Sequence, residues 1–284
     1  MKKNLKKLFL QSPYFSTKYS SYFDTYDKIF SKFINKKITF VEVGVLNGGS
    51  LFMWRKYFGK KARIIGVDNN QSAKFLEKYG FEIFIGDQSN INFWNKLKKK
   101  IGPVDVLLDD GGHTNHQQTI TLLSFINNIK DNGLLVIEDI HTSYLKSFGN
   151  PSKFSFINLT YHLVNQLNFR SGVLKEKNTY GLKLPIYEIR YFESIVAFEV
   201  NRKISNISYK LDNNGKSLGM KDFRSKETYR EKIDKIFREY FFLSKVFIFG
   251  DIIRAFMKIV RINILYKLDH YKERKKMKNF FKLR

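Results

Sequence analysis

Between residues 38 and 137, five short apolar runs alternate with amphipathic stretches, and this alternation leaves the chain few possible architectures. The runs at 38–43, 63–67, 81–85, 104–108 and 134–137 are too short for buried helices. Turn residues such as Gly102 with Pro103, and Asn132 with Gly133, feed two of them. Such runs read as strands buried on both faces of a parallel sheet. The stretches at 50–58, 71–78, 91–100 and 116–129 carry apolar residues at helical spacing. Strand and helix in this order predict an α/β fold with a doubly wound, mostly parallel, Rossmann-like sheet. A further helix is expected at 161–169, and runs at 186–190 and 194–200 predict a closing antiparallel pair turning around Phe192 and Glu193. Ahead of the sheet, Tyr22, Phe23, Tyr26, Ile29, Phe30 and Phe33 recur with a 3.6-residue period, which predicts a helix over 19–33.

Two of the strands close on pairs of acids. Asp109 and Asp110 precede Gly111, Gly112 and His113, and Glu138 and Asp139 follow the run at 134–137. In open parallel sheets the chemistry sits beyond the carboxyl ends of the strands. If these two strands are neighbours, their carboxylates converge. Like charges raise one another's pKa, and a hard divalent cation such as Mg²⁺, which takes oxygen ligands, relieves the conflict. With His113 alongside, the pattern points to a metal-assisted site. The competing reading makes these acids loop residues and His113 a cap of the helix beginning near Thr114.

The first strand runs into Gly44, Gly48 and Gly49, with Ser50 opening a helix whose free N–H groups can meet a polar ligand. The second strand ends in Asp68, where an acid typically holds ribose hydroxyls, and the third in Asp87 and Gln88, placed to meet an adenine ring. The glycines fit neither G-x-G-x-x-G nor G-x-x-x-x-G-K-[ST], which argues against a nicotinamide dinucleotide and a nucleoside triphosphate. A different nucleoside cofactor is expected.

Charge divides the chain further. The net charge of +25 is carried by the ends: residues 1–37 hold 9 Lys/Arg against 2 Asp/Glu, and residues 201–284 hold 23 against 9. The motif-bearing middle is nearly neutral, so phosphate-driven binding of nucleic acid at the site is not expected. The four prolines also leave no Asp/Asn-Pro-Pro-aromatic motif for base methylation. The expected organisation is a helical N-terminal segment (1–37), a catalytic domain (38–200), a linker (201–225) and a basic, amphipathic helical extension (226–284). The extension mixes Lys and Arg with Phe, Ile and Leu, which suits an anionic membrane surface. Packing on the catalytic domain or in a homo-oligomer is the alternative. No cysteine is present, and the basic start has too short an apolar stretch for a signal peptide. A cytoplasmic protein, peripheral at the membrane's inner face, is the expectation.

The run from Val41 to Trp54, then Gly86–Asp87–Gln88–Ser89, Asp109–Asp110–Gly111–Gly112–His113 and Ile137–Glu138–Asp139–Ile140–His141–Thr142–Ser143–Tyr144, resembles the class I S-adenosylmethionine-dependent methyltransferases. The nearest likeness is to Mg²⁺-dependent sugar O-methyltransferases of the macrolide-tailoring type, with cephalosporin-hydroxylase-like proteins as relatives. The resemblance covers residues 16–200. It implies S-adenosylmethionine near Glu42, Gly44 and Ser50, ribose on Asp68, and adenine near Asp87 and Gln88. It also implies metal ligands at Asp110, Glu138 and Asp139, a catalytic base at His113, and a sugar, glycan or glycolipid acceptor. Asp109 is expected to position the loop or the cofactor. Gly112 departs from the more frequent Ser of the family, and the role of His141 is open. Two other readings compete: a nucleic-acid methyltransferase or binder using the basic ends, and a non-catalytic membrane-associated scaffold of the same fold.

Overall fold

The computed structural model describes residues 4–149, 152–170, 184–204, 211–216, 218, 219 and isolated positions between 235 and 278. The chain divides into two units, Met1–Leu211 and Asp212–Arg284. Most of the basic extension lies outside the described residues, and so does any account of its contacts. Among the described residues no helix is long and apolar enough to cross a membrane.

In the first unit, seven strands form one sheet: β1 (Thr39–Val43), β2 (Arg63–Asp68), β3 (Glu82–Ile85), β4 (Val104–Asp109), β5 (Ile129–Ile137), β6 (Ile186–Phe192) and β7 (Ile195–Val200). Their order is β3-β2-β1-β4-β5-β7-β6. Strands β1 to β5 run parallel, β7 is antiparallel to β5, and β6 pairs antiparallel with β7 through a turn at Glu193 and Ser194. The doubly wound sheet and its closing hairpin match the pattern read from the sequence.

Helices α1 (Leu5–Leu10), α2 (Tyr22–Phe30) and α3 (Gly49–Phe58) supply buried residues to one core, together with one face of the sheet. Helices α4 (Ile91–Ile101), α5 (Asn115–Phe125) and α6 (Phe156–Phe169) supply the other. The first core is aromatic: Tyr26, Phe30, Phe40, Trp54 and Phe58 pack with ring centroids 5.0–6.1 Å apart. Edge-to-face and offset pairs at these distances add to the burial of area. Start signals are local. Asn90 caps α4 through its side chain, and Thr114 with Gln117 forms a capping box on α5.

Several elements depart from expectation, among them the helix expected over 71–78, which is a 3₁₀ helix, Gln71–Tyr79. The helix expected over 116–129 ends at Phe125, and a 3₁₀ turn, Ile126–Asn128, leads into β5. Strand β5 therefore begins at Ile129, which pairs with Val104, and the β4–β5 register shifts before Leu134 pairs with Val106. Asn132, at φ 65°, absorbs the irregularity, so the supposed Asn132–Gly133 turn lies inside the strand. The helix expected over 19–33 is α2 followed by a 3₁₀ turn, Ser31–Phe33. Helix α6 starts at Phe156 rather than 161, because Asn115 Oδ1 and Ser143 Oγ accept from the N–H groups of Phe156 and Ile157.

Candidate active site

Register sets the site. Val43 pairs with Asp109 and Asp109 with Ile137, so the chain leaves β1, β4 and β5 side by side. The ladder runs one step further: the N–H of Asp110 donates to the Val43 carbonyl, and that of Glu138 to the Asp109 carbonyl, both at 2.9 Å. Gly44 follows at φ 80°, and a Cβ there would lie 2.1 Å from the Asp110 carbonyl oxygen. Its glycine is thus required where two loops touch, rather than by a ligand alone.

Beyond these strand ends lies a cavity of about 630 Å³. Gly44, Val45, Leu46, Asp68, Asp87 and Gln88 line it, as do Asp110, His113, Glu138 and Asp139. Asp68 Oδ2 accepts from the N–H groups of Val45 and Leu46, each at 3.0 Å, and so shapes the glycine turn while facing the cavity. Asp87 Oδ1 accepts from the Ser89 N–H and hydroxyl at 2.7 Å; these bonds hold its carboxyl below the usual range. Gln88 is a clamp. Its Nε2 donates to both oxygens of Asp109 at 2.7 Å and its Oε1 accepts from the Gly112 N–H at 3.0 Å.

Three expected cofactor residues stand behind the cavity wall instead. Glu42 is fully buried and accepts from Ser50 Oγ at 2.8 Å and Trp54 Nε1 at 3.1 Å, which also fixes Ser50. Asp109 faces Gln88, and burial pushes its carboxyl up to about 6. Burial likewise pushes Glu42 up to about 7 from an ordinary 4.5, against the opposing charge of Lys18. A carboxyl whose folded pKa lies above its unfolded value stabilises the fold at low pH and loses that contribution as pH rises through the folded pKa. Glu42→Gln, neutral throughout, should equal the parent protein near pH 4.5 and exceed it by about 1–3 kcal/mol at pH 8. Denaturant melts in chelator check this; a constant difference across that range would contradict it.

The far wall carries the converging acids. Asp110 Oδ1 and Asp139 Oδ2 lie 4.0 and 3.4 Å from His113 Nε2. Asp110, His113 and Asp139 each offer a donor atom within 4.8 Å of the others. His113 and Asp139 both adopt left-handed backbone, at φ 56° and 54°. Thr142 Oγ1 bridges the carbonyls of these two residues at 2.8 Å each. Left-handed non-glycine residues persist where their surroundings over-determine them, often at functional sites. His141 Nδ1 meets Ser194 Oγ and lies 3.9 Å from Asp139 Oδ1, and its ring packs edge-on against Tyr19.

Three partners of this wall, Lys18, Tyr22 and Tyr26, were not read as such from the sequence. Lys18, with its side chain 1% exposed, places Nζ 2.5 Å from Asp110 Oδ2 and 2.7 Å from Glu138 Oε2. Burial pulls its pKa down, but the carboxylates of Asp110, Glu138 and Glu42 outweigh this and hold it above the usual lysine range. Tyr26 donates to the other oxygen of Glu138, and Tyr22 to Asp139 Oδ1. The spacing of Tyr22 and Tyr26 marked a core face, and nothing in it signalled that their hydroxyls end on the acids.

No protein-family model matches the chain. It is 29% identical over 153 residues to the mycinamicin VI 2''-O-methyltransferase of Micromonospora griseorubida, covering 50% of this chain and 38% of that protein. It is 31% identical over 135 residues to the 8-demethyl-8-alpha-L-rhamnosyl tetracenomycin-C 2'-O-methyltransferase of Streptomyces olivaceus, covering 45% and 35%. The chain spans less than half the length of the curated relatives it matches. Among solved structures, the mycinamycin-pathway methyltransferase MycE in complex with Mg and SAH superposes with a TM-score of 0.64 at 23% identity, over 72% of this chain and 56% of that one. The sequence is therefore similar to sugar O-methyltransferases, and the fold is the Rossmann-like fold of class I methyltransferases.

Proposed function

We propose that the chain is an S-adenosylmethionine-dependent O-methyltransferase acting on a hydroxyl of a sugar or glycan-like acceptor with a divalent cation, Mg²⁺ or similar, at the acidic wall. The observation that carries this reading is one cavity with Asp68 and Asp87 on one side and Asp110, His113 and Asp139 on the other. The donor chemistry fits both groups. Asp68 keeps lone pairs for ribose hydroxyls beyond the backbone bonds it accepts, and Asp87 stands beside it at the cavity wall. Carboxylate oxygens of Asp110 and Asp139 suit a hard cation, with Glu138 as the third ligand once Lys18 yields its oxygen.

When bound, the cofactor supplies an electrophilic methyl on sulfur and the cation acidifies the acceptor hydroxyl. His113 Nε2 then accepts the hydroxyl proton, as a general base must from hydrogen-bonding distance. Asp139, 3.4 Å away, stabilises the imidazolium that forms. Thr142 holds both residues in place, so the acceptor oxygen meets a fixed base. The names of the relatives support a sugar acceptor, and the near-neutral motif region favours it over nucleic acid.

Asp68→Ala should weaken S-adenosylmethionine binding by about tenfold or more, because the cavity loses its ribose acceptor and the glycine turn loses two bonds. Calorimetry measures this, and unchanged affinity would remove Asp68 from the cofactor site. The activity itself is tested by release of S-adenosylhomocysteine with a glycoside, an RNA or no acceptor. Release stimulated by the glycoside supports the reading; stimulation by RNA alone overturns it.

A further inference from the structure

Lys18 reaches the acidic wall on a fixed track. Ser12 Oγ donates to the Gly49 carbonyl at 2.7 Å, and a Cβ on Gly49 would lie 2.3 Å from the Tyr14 carbonyl. The Tyr14 ring packs on Phe52, Phe75 and Tyr79 with centroids 5.5–5.7 Å apart. The segment before α2 is thus laid over the start of α3, and Ser16, Thr17 and Lys18 emerge from it into the cavity. At its end the ammonium bonds to one oxygen each of Asp110 and Glu138 and sits 5.8 Å from the Tyr26 ring centroid.

These are two of the three carboxylates assigned to the divalent cation. An ammonium and a metal ion cannot both hold Glu138 Oε2, whose partner oxygen Tyr26 already occupies, nor sit on the two oxygens of the Asp110 carboxylate, without strong repulsion in a poorly hydrated site. A buried acidic cluster without any cation is equally unfavourable. We propose that Lys18 is a tethered cation that competes with the divalent ion for the Asp110–Glu138 pair, keeping the cluster neutralised before the ion arrives and setting the ion's affinity. The proposal rests on the divalent-cation reading above.

The test compares full-length protein with Lys18→Met, Lys18→Gln and Lys18→Arg, titrating Mg²⁺ and Mn²⁺ alone by calorimetry. Lys18→Met and Lys18→Gln should each bind the ions about tenfold tighter or more, because a competing charge is gone. In chelator both should melt roughly 5–10 °C lower than the parent, and saturating Mg²⁺ should restore most of that loss. Lys18→Arg, which keeps the charge, should stay within about threefold of the parent's affinity. A Met variant that folds only with Mg²⁺ present also supports the proposal. If the parent binds the ions and both neutral variants bind them equally or more weakly, the competition is disproved and the cation reading stands. If no version binds either ion, the cation reading falls and the proposal with it.

Discussion

Replacing His113 by alanine should lower kcat by about 10²–10⁴-fold while leaving cofactor affinity near that of the parent. The geometry separates the two effects. Nε2 faces the acids at 3.4 and 4.0 Å beyond β4 and β5, whereas Asp68 and Asp87 follow β2 and β3, across β1 in the sheet. The ring's other nitrogen is buried and has no hydrogen-bond partner among the described residues, so the side chain is aimed by its backbone rather than by a bond to Nδ1. That backbone is left-handed and held by Thr142. Steady-state kinetics and calorimetry on the same preparation decide the matter. A near-normal kcat would leave His113 with a turn-forming role only.

Asp139→Asn should cost at least about 10²-fold in turnover at low Mg²⁺ and raise the Mg²⁺ concentration for half-maximal rate by more than about tenfold. The substitution isolates charge from shape. Asp139 sits at φ 54°, a conformation asparagine adopts as readily as aspartate, so the strand end should keep its path. The amide oxygen of the variant would still accept from the Tyr22 hydroxyl, while the anionic oxygen facing His113 is lost. Chelator should lower turnover of the parent protein to a similar degree. Full turnover in excess chelator, or an unchanged Mg²⁺ response in Asp139→Asn, would show that no cation acts at this wall.

The parallel sheet was legible because each strand from β1 to β5 is a short apolar run, and the convergence of the acids followed once β4 and β5 proved to be neighbours. Which acid of each pair faces the cavity was only partly legible. Asp109 turns back to Gln88 and Asp110 looks outward, an alternation that depends on where the ladder ends. The resemblance implied S-adenosylmethionine near Glu42 and Ser50, but sequence proximity does not tell the inner from the outer side of a loop; these two are buried and bonded to each other. Lys18 left no signal. It lies in a polar stretch 92 residues from Asp110 and 120 from Glu138, and its pairing arises from how the N-terminal segment crosses α3. The start of α6 was missed for the same reason, since its caps come from Asn115 and Ser143.

A labelled methyl group on S-adenosylmethionine reports where the methyl goes. Full-length protein is incubated with a glycoside bearing a vicinal diol, with Mg²⁺ or with chelator, and the products are resolved by mass spectrometry. The predicted result is one labelled O-methyl ether on the sugar, formed with Mg²⁺ and lost in chelator and in His113→Ala. Label found on RNA instead, or transfer to the sugar that proceeds equally in chelator, would contradict a metal-assisted sugar O-methyltransferase.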